Sequence, residues 1–303
     1  MDEVKETEAK EQITFWYGCN VLRHGDIIHA CIDILRALGC EPSPVGGPDY
    51  CCGTVKDANQ TAAGGMAART VGRLNERHAP VVAWCPSCHS HMHDFMQHEA
   101  ERRFDITYLV ELLHARRAKL APLLVHRVPM RVVLHRHVGF NDRVPVNRMV
   151  PELLGLIPGV EVLEAGYVAP GYMCASFAAL PKALDDIHSN TARAAHEAGA
   201  DAVVTIFHQC YRELVGLDAA GITPVFNYIH LLARAHRQGR RHVLRARGSA
   251  GAEEASEAGI ASVTASRTDW DLISSRARTR SSSASGISLF PRRIFSSKWT
   301  RLT

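Results

Sequence analysis

The chain has 303 residues, of which 46% are apolar and 22% charged, and its net charge at neutral pH is +4. That length can hold two domains with a substantial core, and so small a charge, carried partly by the tail, gives no sign of a nucleic-acid partner. No run approaches the ~18 consecutive apolar residues of a membrane span, so no transmembrane segment is expected.

Residues 1–12, MDEVKETEAKEQ, read as a polar leader. They are charged and acidic where a secretory signal is basic and apolar, so the expected location is cytoplasmic. ITFWYGC then reads as a short buried strand that delivers Cys19 at its C-terminal end. Asp26 to Leu38 has apolar residues at helical spacing, with Gly39 as a stop. Pro42, Pro44, Gly46, Gly47 and Pro48 predict a loop leading into PDYCCG. A helix of small residues is expected from Ala58 to Arg77, then a β-branched strand, PVVAW, that ends at Cys85. Strands alternating with helices predict a parallel α/β sheet, in which ligands gather beyond the carboxyl ends of the strands.

The second half repeats the first. MRVVLHRHVG resembles the first strand, PGYMCAS resembles PDYCCGT, and AVVTIFHQCYREL resembles PVVAWCPSCHSHM. Cys52 and Cys88 are 36 positions apart, as are Cys174 and Cys210, so a constant offset of 122 relates the two copies. The expected architecture is α/β, with two pseudo-symmetric Rossmann-like lobes and a metal site at strand ends near the lobe interface. The boundaries would be 13–128 for the first lobe and 129–244 for the second. Beyond these, residues 245–303 have the small, polar, aperiodic composition of a disordered tail, and no function is assigned to them.

Five of the nine cysteines form one pattern: Cys19, then Cys51-Cys52-Gly53, then Cys85-Pro86-Ser87-Cys88. Thiolate is the soft ligand of iron and zinc, and an odd cysteine count favours metal or redox chemistry over a disulfide framework. Two adjacent cysteines do not easily serve separate disulfides, but both can face one polynuclear centre. The offset pairs Cys51 with Met173 and Cys85 with Phe207, so the second lobe keeps only Cys174 and Cys210. With His135, His137 and His208 nearby, those two thiols could bind zinc tetrahedrally. Bulky Met173 and Phe207 argue instead for a filled pocket in a copy that has lost its metal.

The five-cysteine arrangement resembles the cysteine-rich CCG domain that occurs twice in the B-type subunits of heterodisulfide reductases and in their relatives. The likeness covers roughly residues 13–240 and includes the segment LLGLIPGVEVLE, similar to the family's linker helix and strand; the gap before Cys85 is a few residues short. The resemblance implies a noncubane [4Fe–4S] centre on Cys19, Cys51, Cys52, Cys85 and Cys88. With the second motif degenerate, it implies one centre rather than two. Implied partners are the other members of a heterodisulfide reductase-like complex, a C-like iron–sulfur subunit together with an A-like flavin subunit, and a small thiol or disulfide substrate. The expected role is therefore an oxidoreductase subunit for electron transfer or thiol–disulfide chemistry. The alternatives are a metal-free dithiol oxidoreductase using Cys85 and Cys88, or a zinc-binding structural subunit. No strand-linked Gly-x-Gly-x-x-Gly indicates a nucleotide cofactor, so electrons must come from or go to another subunit. His89, directly after a ligand position, is the candidate catalytic proton or hydrogen-bond donor, although His89, His91 and His93 also fit a polar helix start near the surface.

Overall fold

The computed structural model describes residues 10–54, 59–94 and 101–236. The expected tail over 245–303 and most of the expected leader lie outside these residues.

Two four-stranded parallel sheets organise the chain. The first has the order β2-β1-β3-β4, formed by β1 (Glu11–Gly18), β2 (Cys40–Gly46), β3 (Val81–Ala83) and β4 (Ile106–Tyr108). The second repeats it as β6-β5-β7-β8, with β5 (Met130–His135), β6 (Val160–Leu163), β7 (Ala202–Thr205) and β8 (Val225–Asn227). The principal helices fall in matching places. In the first lobe they are α1 (Gly25–Ala37), α2 (Gln60–Asn75), α3 (Pro86–Asp94) and α4 (Leu109–Ala115). In the second they are α5 (Val146–Leu154), α6 (Pro181–Glu197), α7 (His208–Ala219) and α8 (Tyr228–Ala235). The expected two-lobed α/β architecture is present.

Residues 40–46 differ from expectation, because they form strand β2 and not a loop. Pro42 and Pro44 fit there because β2 is an edge strand that pairs only with β1, where a missing N–H breaks no ladder bond. The helix expected over Ala58–Arg77 begins at Gln60, where the Asn59 side chain accepts from the Ala62 N–H at 3.0 Å. LLGLIPGVEVLE spans the end of α5 and strand β6, as the resemblance implied.

Both faces of each sheet are buried, as parallel sheets require. Alternate residues of β1 and β5 therefore feed different cores. Ile13, Phe15, Val132 and Leu134 enter a central core shared by the two lobes, together with Ile34 and Leu35 of α1 and Ile229 and Leu232 of α8. Trp16 faces a separate outer core beneath α2 with Val71 and Leu74. Val133 does the same beneath α6, with Ala194 and Ala195.

The lobes meet through two equivalent helix pairs, α1 on α8 and α4 on α5. Each pair carries a carboxylate–imidazole contact: Asp26 with His230 at 3.0 Å, and Glu152 with His114 at 2.5 Å. Burial, the largest single influence, would raise the Asp26 carboxyl, but the His230 hydrogen bond and charge, the Ile27 N–H and His24 together outweigh it and the group lies below its ordinary 3.8. His114, and then Arg148, hold Glu152 below its ordinary 4.5. A carboxyl depressed in the folded state binds protons more weakly than in the unfolded chain. Its contribution is therefore complete above the ordinary value and is lost as pH falls through the folded one. Calorimetry of the Asp26→Asn, Glu152→Gln double variant should show a lower Tm than the parent at neutral pH. The gap should close as pH falls from about 5 towards 3. A gap independent of pH would show that these contacts do not couple the interface to protons.

Candidate metal centres

In each sheet the strand order reverses between the first and third strands, which opens a crevice beyond their carboxyl ends. The chemistry-bearing residues of both lobes lie at these two switch points.

In the first lobe, three segments bring thiols together. Cys19 follows β1, Cys51 and Cys52 follow the 3-10 turn at Pro48–Tyr50, and Cys85 and Cys88 flank the start of α3. Two glycines make this approach possible. Gly18 has φ +86°, and a Cβ there would lie 2.9 Å from Cys85 Cβ and 3.3 Å from Cys88 Sγ. Gly53 has φ +92°, and its Cβ would strike the Ala63 carbonyl oxygen of α2 at 2.5 Å. Neither position accepts a side chain without displacing backbone or thiols. The 51–54 loop is further held by Thr70, whose hydroxyl donates to the Cys51 carbonyl at 2.7 Å, and by Trp16, whose indole N–H donates to the Tyr50 carbonyl at 2.9 Å.

The five thiols expected to act together are joined in a run of neighbours. Cys19 contacts Cys51, Cys51 contacts Cys52, Cys52 contacts Cys88, and Cys88 contacts Cys85. All are free thiols; Cys19 is half-buried and the other four are buried. Cys52 is the member of the run whose thiol is most favoured to ionise. Hydrogen bonds from Cys51 and Cys88 outweigh burial and hold it well below the ordinary thiol range, with Thr54 adding a contact at 3.0 Å. Cys51 and Cys88 are correspondingly raised, first by sharing their protons with Cys52 and then by desolvation. Burial raises Cys19. Such a set of convergent sulfur donors suits a soft metal centre. Thr54, Thr70 and Gly18 were not singled out from sequence, since a hydroxyl or a glycine beside a motif carries no spacing signal of its own.

His89 lies on α3 and is buried, with 4% of its surface exposed, as is His91 at 8%; this helix start is not a surface feature. The His89 ring packs on His93, Tyr108 and Phe140, and its Nε2 lies 3.8 Å from Glu111 Oε2. Burial, then the neighbouring His93 and arginines, push its pKa down to about 3, so at neutral pH it is an uncharged imidazole. These contacts turn it towards α4 and the lobe interface.

In the second lobe, Met173 and Phe207 are buried apolar residues, as expected from their size. Beside them, His135, His137, Cys174 and Cys210 form a fully buried candidate metal-binding group, with all four ligand atoms within 4.8 Å of one another. His208 stands apart from this group. It is buried at the start of α7 without a hydrogen-bond partner on either ring nitrogen, and burial, then His24 and Arg212, push its pKa down to about 3.

Among the described residues no helix is long and apolar enough to cross a membrane. No curated protein sequence matches the chain significantly. Among solved structures, a hypothetical protein from Helicobacter pylori aligns with 75% of the chain at 9% identity and a TM-score of 0.47. The aligned region is 50% of that protein, so the chain spans about half its length. A mutant of arylmalonate decarboxylase in its sulfate-associated form aligns with 73% of the chain and 93% of its own length, at 15% identity and a TM-score of 0.26. The sequence match falls on the lobe with the five thiols: residues 13–93 match the model of the CCG family, a cysteine-rich domain.

Proposed function

We propose that the chain is an iron–sulfur redox subunit of a heterodisulfide reductase-like complex, with one noncubane [4Fe–4S] centre on Cys19, Cys51, Cys52, Cys85 and Cys88. The observation that carries this reading is the continuous run of five thiols from three segments, in a region that matches a cysteine-rich domain. A mononuclear ion takes about four ligands, which leaves one of the five thiols without a role; a polynuclear centre uses all of them and accounts for the adjacent pair.

A centre of this type supplies one-electron chemistry at a soft, sulfur-accepting iron. The chain's own residues decide how it would be reached. Cys19 is the half-buried member of the set, whereas Cys51 is buried and Cys52, Cys85 and Cys88 are enclosed in the outer core with residues of β3, α2 and α3. A small thiol or disulfide, or an electron-donating protein, therefore approaches from the Cys19 side. There Leu22 lies 52% exposed, an apolar residue next to the open edge. The 51–54 loop, pressed against α2 at Gly53 and held by the Thr70 hydroxyl, fixes the two adjacent thiols, so a change in cluster charge need not move the backbone.

Anaerobically purified protein should be brown, with about four irons and four sulfides per chain. Cys52→Ser should abolish the iron and its EPR signal. Cys31→Ser and Cys40→Ser should retain both, because Cys31 is enclosed in the central core and Cys40 accepts a hydrogen bond from Arg116. Survival of the signal without Cys52, or a colourless protein with zinc on the five thiols, would refute the assignment. Gly18→Ala offers a test that removes no ligand. The backbone penalty alone is ~1–2 kcal/mol, and the new methyl group presses on Cys85. Chemical denaturation should show at least that loss, accompanied by reduced iron retention.

A further inference from the structure

The second lobe differs from a simple eroded copy in the hydrogen bonding of its histidines. The His137 Nδ1 lies 2.8 Å from the Pro170 carbonyl, which can only accept, so that nitrogen carries the proton. Thr191 gives its own hydroxyl proton to the Ile187 carbonyl at 2.7 Å and can therefore only accept from His135 Nδ1, 3.0 Å away. A neutral imidazole has one N–H. In their neutral forms both Nε2 atoms are thus bare lone pairs, and they face each other at 3.0 Å in a buried site. Two lone pairs at that separation repel; a cation between them turns the repulsion into coordination. An N–H held by a hydroxyl or carbonyl, with the other nitrogen aimed inward, is the outer shell that orients ligating histidines.

Two sulfurs complete the set. Cys174 Sγ lies 3.2 Å from His135 Nε2 and 3.5 Å from His137 Nε2. The Cys174 backbone N–H donates to Cys210 Sγ at 3.4 Å.

We propose that His135 Nε2, His137 Nε2, Cys174 Sγ and Cys210 Sγ form a closed, mononuclear, tetrahedral zinc site in the second lobe. Zn–N bonds of ~2.0–2.1 Å and Zn–S bonds of ~2.3 Å give ligand-to-ligand edges of roughly 3.3–3.8 Å. The three edges among His135, His137 and Cys174, at 3.0, 3.2 and 3.5 Å, already lie near those values, and Cys210 Sγ completes a set within 4.8 Å. A binuclear iron–sulfur centre with the same two histidines and two cysteines places imidazoles and thiolates on different irons, at opposite ends of the cluster. A group this compact does not span two irons. With all four positions filled from the protein, the ion is structural and has no place for substrate. Zinc binds both sulfurs as thiolates and joins three segments: the end of β5, the Cys174–Phe177 turn and the start of α7.

The site is rebuilt and not inherited. The offset of 122 carries Val81 of β3 onto Val203 of β7. Strand pairing of Thr14 with Val81 and of Val133 with Val203 then carries Trp16 onto His135 and Gly18 onto His137. In the first lobe those positions hold a packing indole and a glycine that makes room for Cys85. In the second, Phe207 stands where Cys85 would be, and the ligands come from the strand. Cys174 and Cys210 alone are retained from the original set.

Zinc X-ray absorption on the unmutated full chain, from zinc-replete expression, tests the assignment without any substitution. The expected result is one zinc per chain with two nitrogens at ~2.0 Å and two sulfurs at ~2.3 Å. A four-sulfur shell would put the zinc on the first-lobe thiols and overturn the proposal, as would the absence of zinc. Cobalt(II) titration of the Cys52→Ser chain separates the two lobes. The intense visible bands of a tetrahedral, thiolate-bound ion should persist there and vanish on the further change Cys210→Ser. Iron and sulfide retained in the Cys52→Ser chain in place of zinc would overturn the mononuclear reading. Thr191→Val keeps side-chain shape and all four ligands, and should weaken cobalt binding ~10–100-fold while first-lobe iron is unchanged. Unchanged cobalt affinity would refute the outer-shell geometry on which the site rests.

Discussion

The structure depends on a demand placed on two strands, β1 and β5, each of which must bury both of its faces. A parallel sheet has no solvated side, so alternate residues of these strands enter different cores. Phe15 and Leu134 point into the apolar interior that the two lobes share. Trp16 and Val133 point outward, beneath α2 and α6. The shared interior fixes the lobes to one another, because α1 and α8 contribute to it jointly, as do α4 and α5. Once the inward set is filled, the outward set and the strand ends are the positions left free to vary. Both candidate metal groups draw on those positions.

In the first lobe this freedom is used to bring sulfur close to sulfur. A glycine at the last residue of β1 lets Cys85 and Cys88 approach the strand end, and a second at position 53 lets the adjacent cysteines lie against α2. Five thiols in one half-buried crevice cannot all ionise. Hydrogen bonding holds the Cys52 thiol well below the ordinary range and pushes Cys51 and Cys88 up. Such a group is poised to exchange protons for metal, which accords with the proposed centre. Cys88, one of the two thiols that a metal-free dithiol catalyst on Cys85 and Cys88 would use, is raised and not activated.

Much of this was legible in the sequence, for physical reasons that can be named. The repeat showed itself because both copies keep a 36-residue spacing between two cysteines, and the strand–helix alternation followed from β-branched runs ending at chemistry-bearing residues. The edge strand β2 was not legible. Two prolines in seven residues read as a loop, and only its position at the sheet edge, which is a property of the whole topology, makes them acceptable. The burial of His89 and His91 was equally hidden. A polar run after Cys88 gives no hint that α4 and the second lobe will cover it. Thr70 and Thr191 act through hydrogen bonds to partners on other elements, Cys51 and His135, and Thr54 through one to Cys52 in its own loop, and no spacing rule reports these.

The second lobe marks the limit of reading a duplicated sequence position by position. Aligned on the cysteine motif, it has lost three of five ligands, and Met173 and Phe207 make the loss look complete. The offset that aligns the cysteine loops is not the one that aligns the first strands, because the segment between β1 and the adjacent-cysteine loop has changed length. Through the hydrogen-bonded register, His135 and His137 stand at positions that in the first lobe are a tryptophan and a glycine, neither of them a ligand. Substituting Phe for Cys85 removes a thiol and fills volume near the strand end, whereas His at the strand end adds a donor from the opposite wall. Each change alone would leave either an orphaned thiol or an unpartnered buried imidazole, both costly in a low-dielectric interior. Together they leave a closed set of four donors. The pairing of these changes, rather than the count of surviving cysteines, is the physical ground for treating the second lobe as a site of different composition.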